Sequence, residues 1–520
     1  MCGIALAVGT DPDAAGFQRM ISTLAPRGEI DEVRCEPGLL AGTRRLPIVA
    51  RHQAVQPWPS PDGRWLLCFN GEIYNAPELR AELTARGVTL RGGGDTEILL
   101  EAFRVWGQEV VRRLRGEYAF AIVERATGLC YLARDPLGVK PLYWTRPGRC
   151  LYLASEVKAL THLGTRIREV PPGNHGWAVR DSDPVLSAYW SPPADETALD
   201  DPDLAAKMIR FALEDSIRVR VDTDLTVGVI LSGGLDSALT LLHVRQMHPD
   251  CVAFTVGAPG SEDLAYSRRL TSDLGVPHEV IELRPRDLRL SDAREAVRTC
   301  ELTEYGDIIN AAVSVPLFRR VRERGVKVVL TGDGSDELFG GYDMYHQIDP
   351  EDAQRLFLHK IRNLCRTELQ RVDRASMGST VEARVPFLDP ALVSLAMRIP
   401  VTLKWRDGQE KWILRRAFAD LLPDYIRMRP KNPMSHSSGL HERVRLYKPW
   451  FARAHRSHGY DLLGPVRRDF SATLARCDLD LDRAVREQSA CTVAEHVRDL
   501  LGALRRNLIR RPLFRLWPQS

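Results

Sequence analysis

From Met1 to about Tyr189 the chain alternates short apolar runs with turn residues, as in Trp65 to Phe69, Ala119 to Val123 and Leu129 to Ala133. Such runs predict half-buried strands of a layered antiparallel sheet. Arg125-Ala126-Thr127-Gly128 supplies a hairpin turn between the last two, while Pro77 to Arg86 and Thr96 to Trp106 carry helical spacing, so this part reads as mixed α+β. The Pro- and acid-rich stretch 191–203 lacks apolar periodicity and is the expected linker between a domain over 1–190 and another over 204–520. Beyond it the texture changes. Solid apolar strands (Val227 to Leu231, Cys251 to Val256, Val326 to Leu330) alternate with helical segments, the pattern of a doubly wound α/β domain whose parallel sheet is covered on both faces. After about Leu356 the pattern is mostly helical. The Arg-rich, amphipathic end, Leu504 to Trp517, is read as a solvated or docked terminal helix.

Composition narrows the class. At 520 residues the chain exceeds one ordinary core, and 44% hydrophobic with 27% charged residues suits a globular enzyme. A net charge of +4 with arginine spread throughout gives no nucleic-acid groove, so neither nucleic acid nor membrane is an expected partner. The ten cysteines occur without CxxC or Cys/His clusters, which predicts reduced thiols and no structural zinc. The apolar start, Cys2 to Val8, is too short for a signal segment, so a cytoplasmic location is expected.

The first candidate chemistry is at the amino terminus, Met1-Cys2-Gly3. With Met1 removed, Cys2 carries a thiol and a free α-amino group of pKa about 7.7–8.0, a nucleophile beside its own base. A small buried hydrophobe would fit this dipeptide equally well, so other residues decide. Arg45 precedes the apolar Leu46 to Val49 and suits a bidentate carboxylate clamp. Asn70-Gly71-Glu72 follows a strand and offers a side-chain amide beside an unhindered N–H, the pair an oxyanion hole needs. Asp95, after three glycines, puts a carboxylate at a helix start.

Together with Arg134 to Tyr143 and Ala154 to Leu160, these residues resemble the class II glutamine amidotransferases. The resemblance implies an N-terminal-nucleophile αββα sandwich with Cys2 as nucleophile and Asn70 and Gly71 as oxyanion donors. It also implies a glutamine pocket formed by Arg45, Ile48, Val49, Asn70, Gly71, Glu72 and Asp95. The chain departs from that family at Pro26-Arg27-Gly28-Glu29, where His-Arg-Gly-Pro is usual, and at Thr43, where His is common.

The second candidate is Leu231-Ser232-Gly233-Gly234-Leu235-Asp236-Ser237, between a strand and a helix. Its glycines let the backbone approach phosphate while Ser232, Ser237 and the helix start donate to it. No Gly-Lys-Ser/Thr follows, which disfavours γ-phosphoryl transfer. The loop resembles that of the ATP pyrophosphatases, which cleave ATP between the α and β phosphates and form an acyl-adenylate. A second strand end, Leu330 to Tyr342, adds glycines and carboxylates at the same sheet edge, where ligands bind in such folds. Asp236 and Asp336 are the expected magnesium ligands.

With Gln409 to Arg415 and Val381 to Asp389, residues 1–430 resemble the asparagine synthetases, glutamine-hydrolysing. This resemblance implies that Leu231, Ser232, Gly233, Gly234, Asp236, Ser237, Val256, Thr331 and Gly332 bind ATP. Asp333 would bear on adenylate formation or its aminolysis, and Lys411 would neutralise pyrophosphate. The implied reaction passes ammonia from glutamine through a shielded passage to an acyl-adenylate made from ATP and a carboxylate, either aspartate or an analogue. ATP and Mg2+ are the implied cofactors, and a homodimer is left open. The segment 304–312 carries Ile and Ala where aspartate-using members carry hydroxyl residues and an Arg, which keeps a specialised acceptor in play. The alternative on the same scaffold is an enzyme closing an amide within its substrate, as β-lactam synthetases and lasso-peptide cyclases do.

Overall fold

The computed structural model describes residues 2–179, 181–194, 198–301, 305–342, 345, 350–432 and 437–440. The Arg-rich end, 504–517, and residues 195–197 of the expected linker lie outside the described residues.

The amino-terminal half stacks two antiparallel sheets. One runs, in spatial order, Arg168–Glu169, Tyr143–Thr145, Leu151–Ala154, Cys2–Val8, Leu39–Arg45, Ile30–Glu36. The other runs Val185–Ala188, Asn174–Ala178, Cys130–Arg134, Gly116–Glu124, Trp65–Ile73, Trp58–Pro59. The period-2 side-chain alternation of a strand sorts the first of these segments: Ile4, Leu6 and Val8 face the second sheet, where they meet Leu66, Ala119, Val123 and Leu132. Ala5 and Ala7 face outward and pack under Phe17, Met20 and Ile21 of helix Ala14–Thr23. The outer face of the second sheet is covered by helices Ala76–Ala85 and Gly94–Trp106 through Leu79, Leu83, Ile98 and Leu99. The expected αββα sandwich is the observed one.

The second half holds one five-stranded parallel sheet in the order His278–Glu282, Cys251–Gly257, Val227–Ile230, Val328–Leu330, Glu382–Arg384. Strand order reverses beside Val227–Ile230, so the crevice at the carboxyl ends of Val227–Ile230 and Val328–Leu330 is the topological switch point. The edge strand Glu382–Arg384 lies in the region read as mostly helical. It is three residues long and two of them are charged, so no apolar run announces it.

The halves meet through a small apolar patch, Leu46, Ile48, Val328 and Met377, through Leu137 and Val139, which join the core of the second half, and through buried charge. Arg27 pairs with Glu156 at 2.8 Å in its own half and with Asp373 at 2.8 Å across the seam. Glu117 takes Lys140 at 3.2 Å and, across the seam, Arg220 at 3.0 Å, which also reaches Asp389 at 3.2 Å. Burial alone would raise the Asp373 and Glu117 carboxyls; the adjacent cations override it and hold both below the ordinary range. Met377 is fully buried in the patch, so Met377→Ala is expected to cost about 2–5 kcal/mol, read as a lowered midpoint of urea unfolding.

Candidate active sites

The amino-terminal site is built where the first strand of one sheet meets Trp65–Ile73 of the other. Cys2 is buried, and its backbone N–H donates to Asn70 Oδ1 at 3.0 Å. That bond fixes which way the amide points. It leaves Asn70 Nδ2 as a buried donor without a hydrogen-bond partner, a rarity that marks a place where a ligand oxygen belongs. Gly71 has φ +154°, and a Cβ there would lie 2.2 Å from the Glu117 carbonyl, so only glycine lets the two strands close beside the amide. Burial pushes the Cys2 thiol above its ordinary pKa, so ionising it requires a base within reach.

Arg45, at the end of Leu39–Arg45, pairs opposite Cys2 in the sheet. Its guanidinium donates to Glu32 through Nε (3.0 and 3.1 Å) and Nη2 (3.0 Å) and to the Arg51 carbonyl through Nη1 (2.9 Å). Glu32 also accepts the Gln56 backbone N–H at 2.7 Å. The Gln56 carboxamide lies over the nucleophile, with Nε2 4.0 Å from Cys2 Sγ and Oε1 taking the Phe69 N–H at 2.8 Å. Ile48 and Val49 line an open cavity of about 560 Å³ between the loop 48–53 and Asp222–Asp224 of the other half. Asp95 is buried at the start of its helix and accepts the Ile73 N–H at 3.2 Å. Burial raises its carboxyl above the ordinary range. Glu72 is raised by burial and by the nearby Asp95 charge, and it stands 3.5 Å from Arg384 of the other half. The fold therefore brings Cys2, Arg45, Asn70, Gly71, Glu72 and Asp95 to one place.

The second site occupies the switch-point crevice. Ser232 and Ser237 hydroxyls lie 3.2 Å apart, and Ser232 Oγ accepts the Gly234 N–H at 3.3 Å, so the loop satisfies its own donors at the start of helix Leu235–Met247. A Cβ on Gly332 would meet Asp236 Cβ at 2.9 Å and Ser237 N at 3.0 Å; glycine is what allows the two strand-end loops to touch. Leu231, Val256 and Thr331 are buried along the same edge. Lys411 is buried in a left-handed backbone conformation, φ +54°. Its ammonium bridges Asp236 at 2.6 Å and Asp336 at 2.5 Å. Burial would raise the Asp336 carboxyl, but Lys411 and Lys431 hold it down at about 2.

Asp236 and Asp336 thus converge on one point that already holds a positive charge. Their hard oxygens fit a magnesium ion there. No cluster of three or more ligand-type side chains occurs among the described residues, so further coordination would fall to phosphate oxygens and water. Asp333 Oδ1 accepts from Arg371 Nη2 at 2.7 Å. The acceptor segment is only partly visible: residue 304 lies outside the described residues, and Ala311 and Ala312 are buried in the core.

Several residues at these sites were not anticipated from the sequence. Lys431 Nζ reaches Asp336 at 2.5 Å, and Arg429 donates to the Ser232 carbonyl at 3.1 Å while stacking 4.2 Å over Tyr266. The basic run Arg427-Met428-Arg429-Pro430-Lys431 was the available signal. Arg27, noted only as part of a departure from the family, donates to the Cys2 carbonyl at 3.2 Å. Glu32, Gln56 and Arg371 had no local signal at all.

Residues 1–172 match the family described as a glutamine amidotransferase domain, and residues 208–353 and 349–498 match the one described as asparagine synthase. The chain is 33% identical over 420 residues to asparagine synthetase B (glutamine-hydrolyzing) of Escherichia coli (strain K12), covering 76% of this chain and 74% of that protein. It is 30% identical over 452 residues to a putative asparagine synthetase 1 (glutamine-hydrolyzing) of Methanocaldococcus jannaschii, covering 76% and 81%. To asparagine synthetase (glutamine-hydrolyzing) of Sandersonia aurantiaca it is 31% identical over 472 residues, covering 84% and 87%. With both catalytic halves matched and most of each relative spanned, the chain belongs to the asparagine synthase family and carries a glutamine amidotransferase domain at its amino end.

Proposed function

We propose that this protein is a glutamine-dependent amide-forming ligase in which residues 1–190 release ammonia from glutamine and residues 204–520 join it to a carboxylate activated by ATP. The observation that carries the reading is a chain of hydrogen bonds and one helix that links the two sites. Cys2 bonds through its carbonyl to Arg27, Arg27 to Asp373, and Asp373 shares helix Glu368–Met377 with Arg371, which holds Asp333.

In this reading the Cys2 thiolate attacks the glutamine carboxamide carbon after its proton passes to the α-amine left by removal of Met1; the C–N bond then breaks as that proton leaves with ammonia, and water hydrolyses the resulting thioester to release glutamate and restore the thiol. Asn70 Nδ2 and the Gly71 N–H take the developing oxyanion. Arg45 holds the substrate α-carboxylate, and Asp95 with Glu72 faces its ammonium, whose charge would offset the cost of burying two carboxylates together. Ile48 and Val49 line the way in. In the other half, Ser232, Gly233, Gly234 and Ser237 cradle phosphate at the start of the helix, with Leu231, Val256, Thr331 and Gly332 along the nucleotide. Asp236 and Asp336 would hold magnesium, which supplies neutralising charge for phosphate oxygens. Lys411 and Lys431 stand ready to follow the pyrophosphate, and Asp333 bears on the acyl-adenylate. The acceptor is a carboxylic acid, aspartate or an analogue. Neutral ammonia must reach it without meeting bulk water, so the reading calls for a shielded passage between the halves, where Leu46, Ile48, Val328 and Met377 are buried together. The eight free cysteines among the described residues, and the lack of any described helix long and apolar enough to cross a membrane, fit a cytoplasmic enzyme.

Cys2→Ala is expected to abolish glutamine-driven amide formation while ammonia-driven formation and pyrophosphate release persist; glutamine-driven turnover surviving the change would sink the glutaminase assignment. Asp95, raised by burial, should begin to lose its charge at a pH where an aspartate of ordinary pKa, about 3.9, stays ionised. The KM for glutamine should therefore rise as pH falls from about 7 to about 5, and Asp95→Asn should give a higher KM with a shallower pH dependence, Glu72 being the raised carboxyl that remains. A flat wild-type profile would count against the ammonium role. Lys411→Ala should lower kcat/KM for ATP by about 10²–10³-fold in a pyrophosphate-release assay while glutamate release continues.

A further inference from the structure

Arg45 is the carboxylate clamp of the proposed glutamine site, yet in this structure it already holds a carboxylate. The Arg45 and Glu32 side chains are 7% and 13% exposed, so the pair is walled off from water rather than lying on the surface. Glu32 reaches it from Ile30–Glu36, the edge strand, which pairs with Leu39–Arg45 in antiparallel register. A guanidinium has five N–H donors in a plane, with two edges able to grip a carboxylate by two bonds each. Glu32 occupies the side edge, through Nε and Nη2, and the Arg51 carbonyl takes one hydrogen of Nη1. One N–H on each terminal nitrogen remains beyond these bonds.

Glu32 also braces the other flank of the site. The oxygen facing Arg45 Nε accepts the Gln56 N–H, and the Gln56 side chain lies over the Cys2 sulfur. Evicting Glu32 would strand the Gln56 N–H and undo three of the four hydrogen bonds that aim the guanidinium. Binding glutamine at the N–H groups left over disturbs none of them.

We propose that Glu32 is a positioning residue for the glutaminase: it grips the side edge of Arg45 so that the N–H groups left over are presented to the α-carboxylate of glutamine, and it ties that clamp to the Gln56 segment over the thiol. This rests on the glutaminase reading given above. It would also favour an α-amino acid, because a guanidinium held in one place accepts a carboxylate only at one distance from the ammonium assigned to Asp95.

The test uses the full chain and its glutaminase half-reaction, which needs no acceptor. Glutamate release is measured against glutamine concentration for the wild type, Glu32→Ala and Glu32→Gln. In parallel, Cys2 is alkylated by two reagents and read by mass at its own peptide: a diazoketone analogue of glutamine, which needs the clamp, and iodoacetamide, which does not. Losing hydrogen bonds to a charged group should raise KM about tenfold or more in Glu32→Ala and slow the analogue in step, with iodoacetamide within about twofold of wild type. Glu32→Gln, which keeps one acceptor oxygen, should show a smaller rise, and it carries the test if the alanine variant does not fold. An unchanged or lower KM would overturn the proposal, the lower value meaning that Glu32 competes with glutamine for the clamp. Parallel slowing by iodoacetamide would also overturn it, as a general loss of structure. A wild type that releases pyrophosphate with ammonia but no glutamate from glutamine would bring down the glutaminase reading itself, and this proposal with it.

Discussion

A guanidinium carried into a protein interior must meet carboxylates there, and at the seam of this molecule the nearest carboxylate often belongs to the other half of the chain. Arg27 is buried under the Cys2 carbonyl and takes Glu156 from its own domain and Asp373 from the neighbouring one. Glu117 is shared in the same way between Lys140 and Arg220. Such pairs add little net stability, since desolvation consumes most of the attraction, but a half-satisfied pair costs several kcal/mol. The consequence is geometrical. Charge matching across the seam favours this docking of the two halves and so helps to set the distance and direction from the thiol to the nucleotide crevice, while the patch around Met377 and the buried Leu137 and Val139 supply adhesion.

That division of labour explains what the sequence revealed. Alternation in Ile4, Leu6 and Val8 and the solid runs of the parallel strands reported burial directly, because burial on one face or both is a local pattern. Cys2, Asn70, Gly71, Asp95 and the loop around Ser232 were legible because their backbone setting is local too: a strand end, a glycine, a helix start. Ion partners are different. Glu32 lies on an exposed edge strand whose pattern looks like any solvated ribbon, and only the register with Leu39–Arg45 puts it on Arg45. Asp373 lies 346 positions from Arg27, and nothing in either neighbourhood points to the other. The short strand Glu382–Arg384 escaped for the same reason. Its residues are charged because they meet charges across the seam, among them Glu72.

The two sites differ in how they hold charge before substrate arrives, and the difference follows from what each must do. In the nucleotide crevice Lys411 and Lys431 neutralise Asp236 and Asp336, an arrangement suited to exchange. On the proposed reading, an incoming polyphosphate would draw the ammonium groups onto its oxygens and free the carboxylates for a divalent cation, so that little net charge is buried unpaired. The left-handed backbone at Lys411 is the kind of local strain that persists only where the surroundings over-determine it, and here the two aspartates do so.

At the thiol the logic is reversed. Glutamine brings a carboxylate and an ammonium of its own, so the site has no need to trade ions and gains from holding them still. Asn70 Oδ1 is pinned by the Cys2 N–H and Arg45 by Glu32, which leaves one buried amide donor, Asn70 Nδ2, for the oxyanion that the proposed glutaminase reaction would form. Groups fixed in advance pay their ordering cost during folding rather than during reaction, which is where such donors contribute most. A synthetase half that exchanges its counter-ions and a glutaminase half that freezes them can share one rigid seam, because only the first has to move charge when its substrate binds.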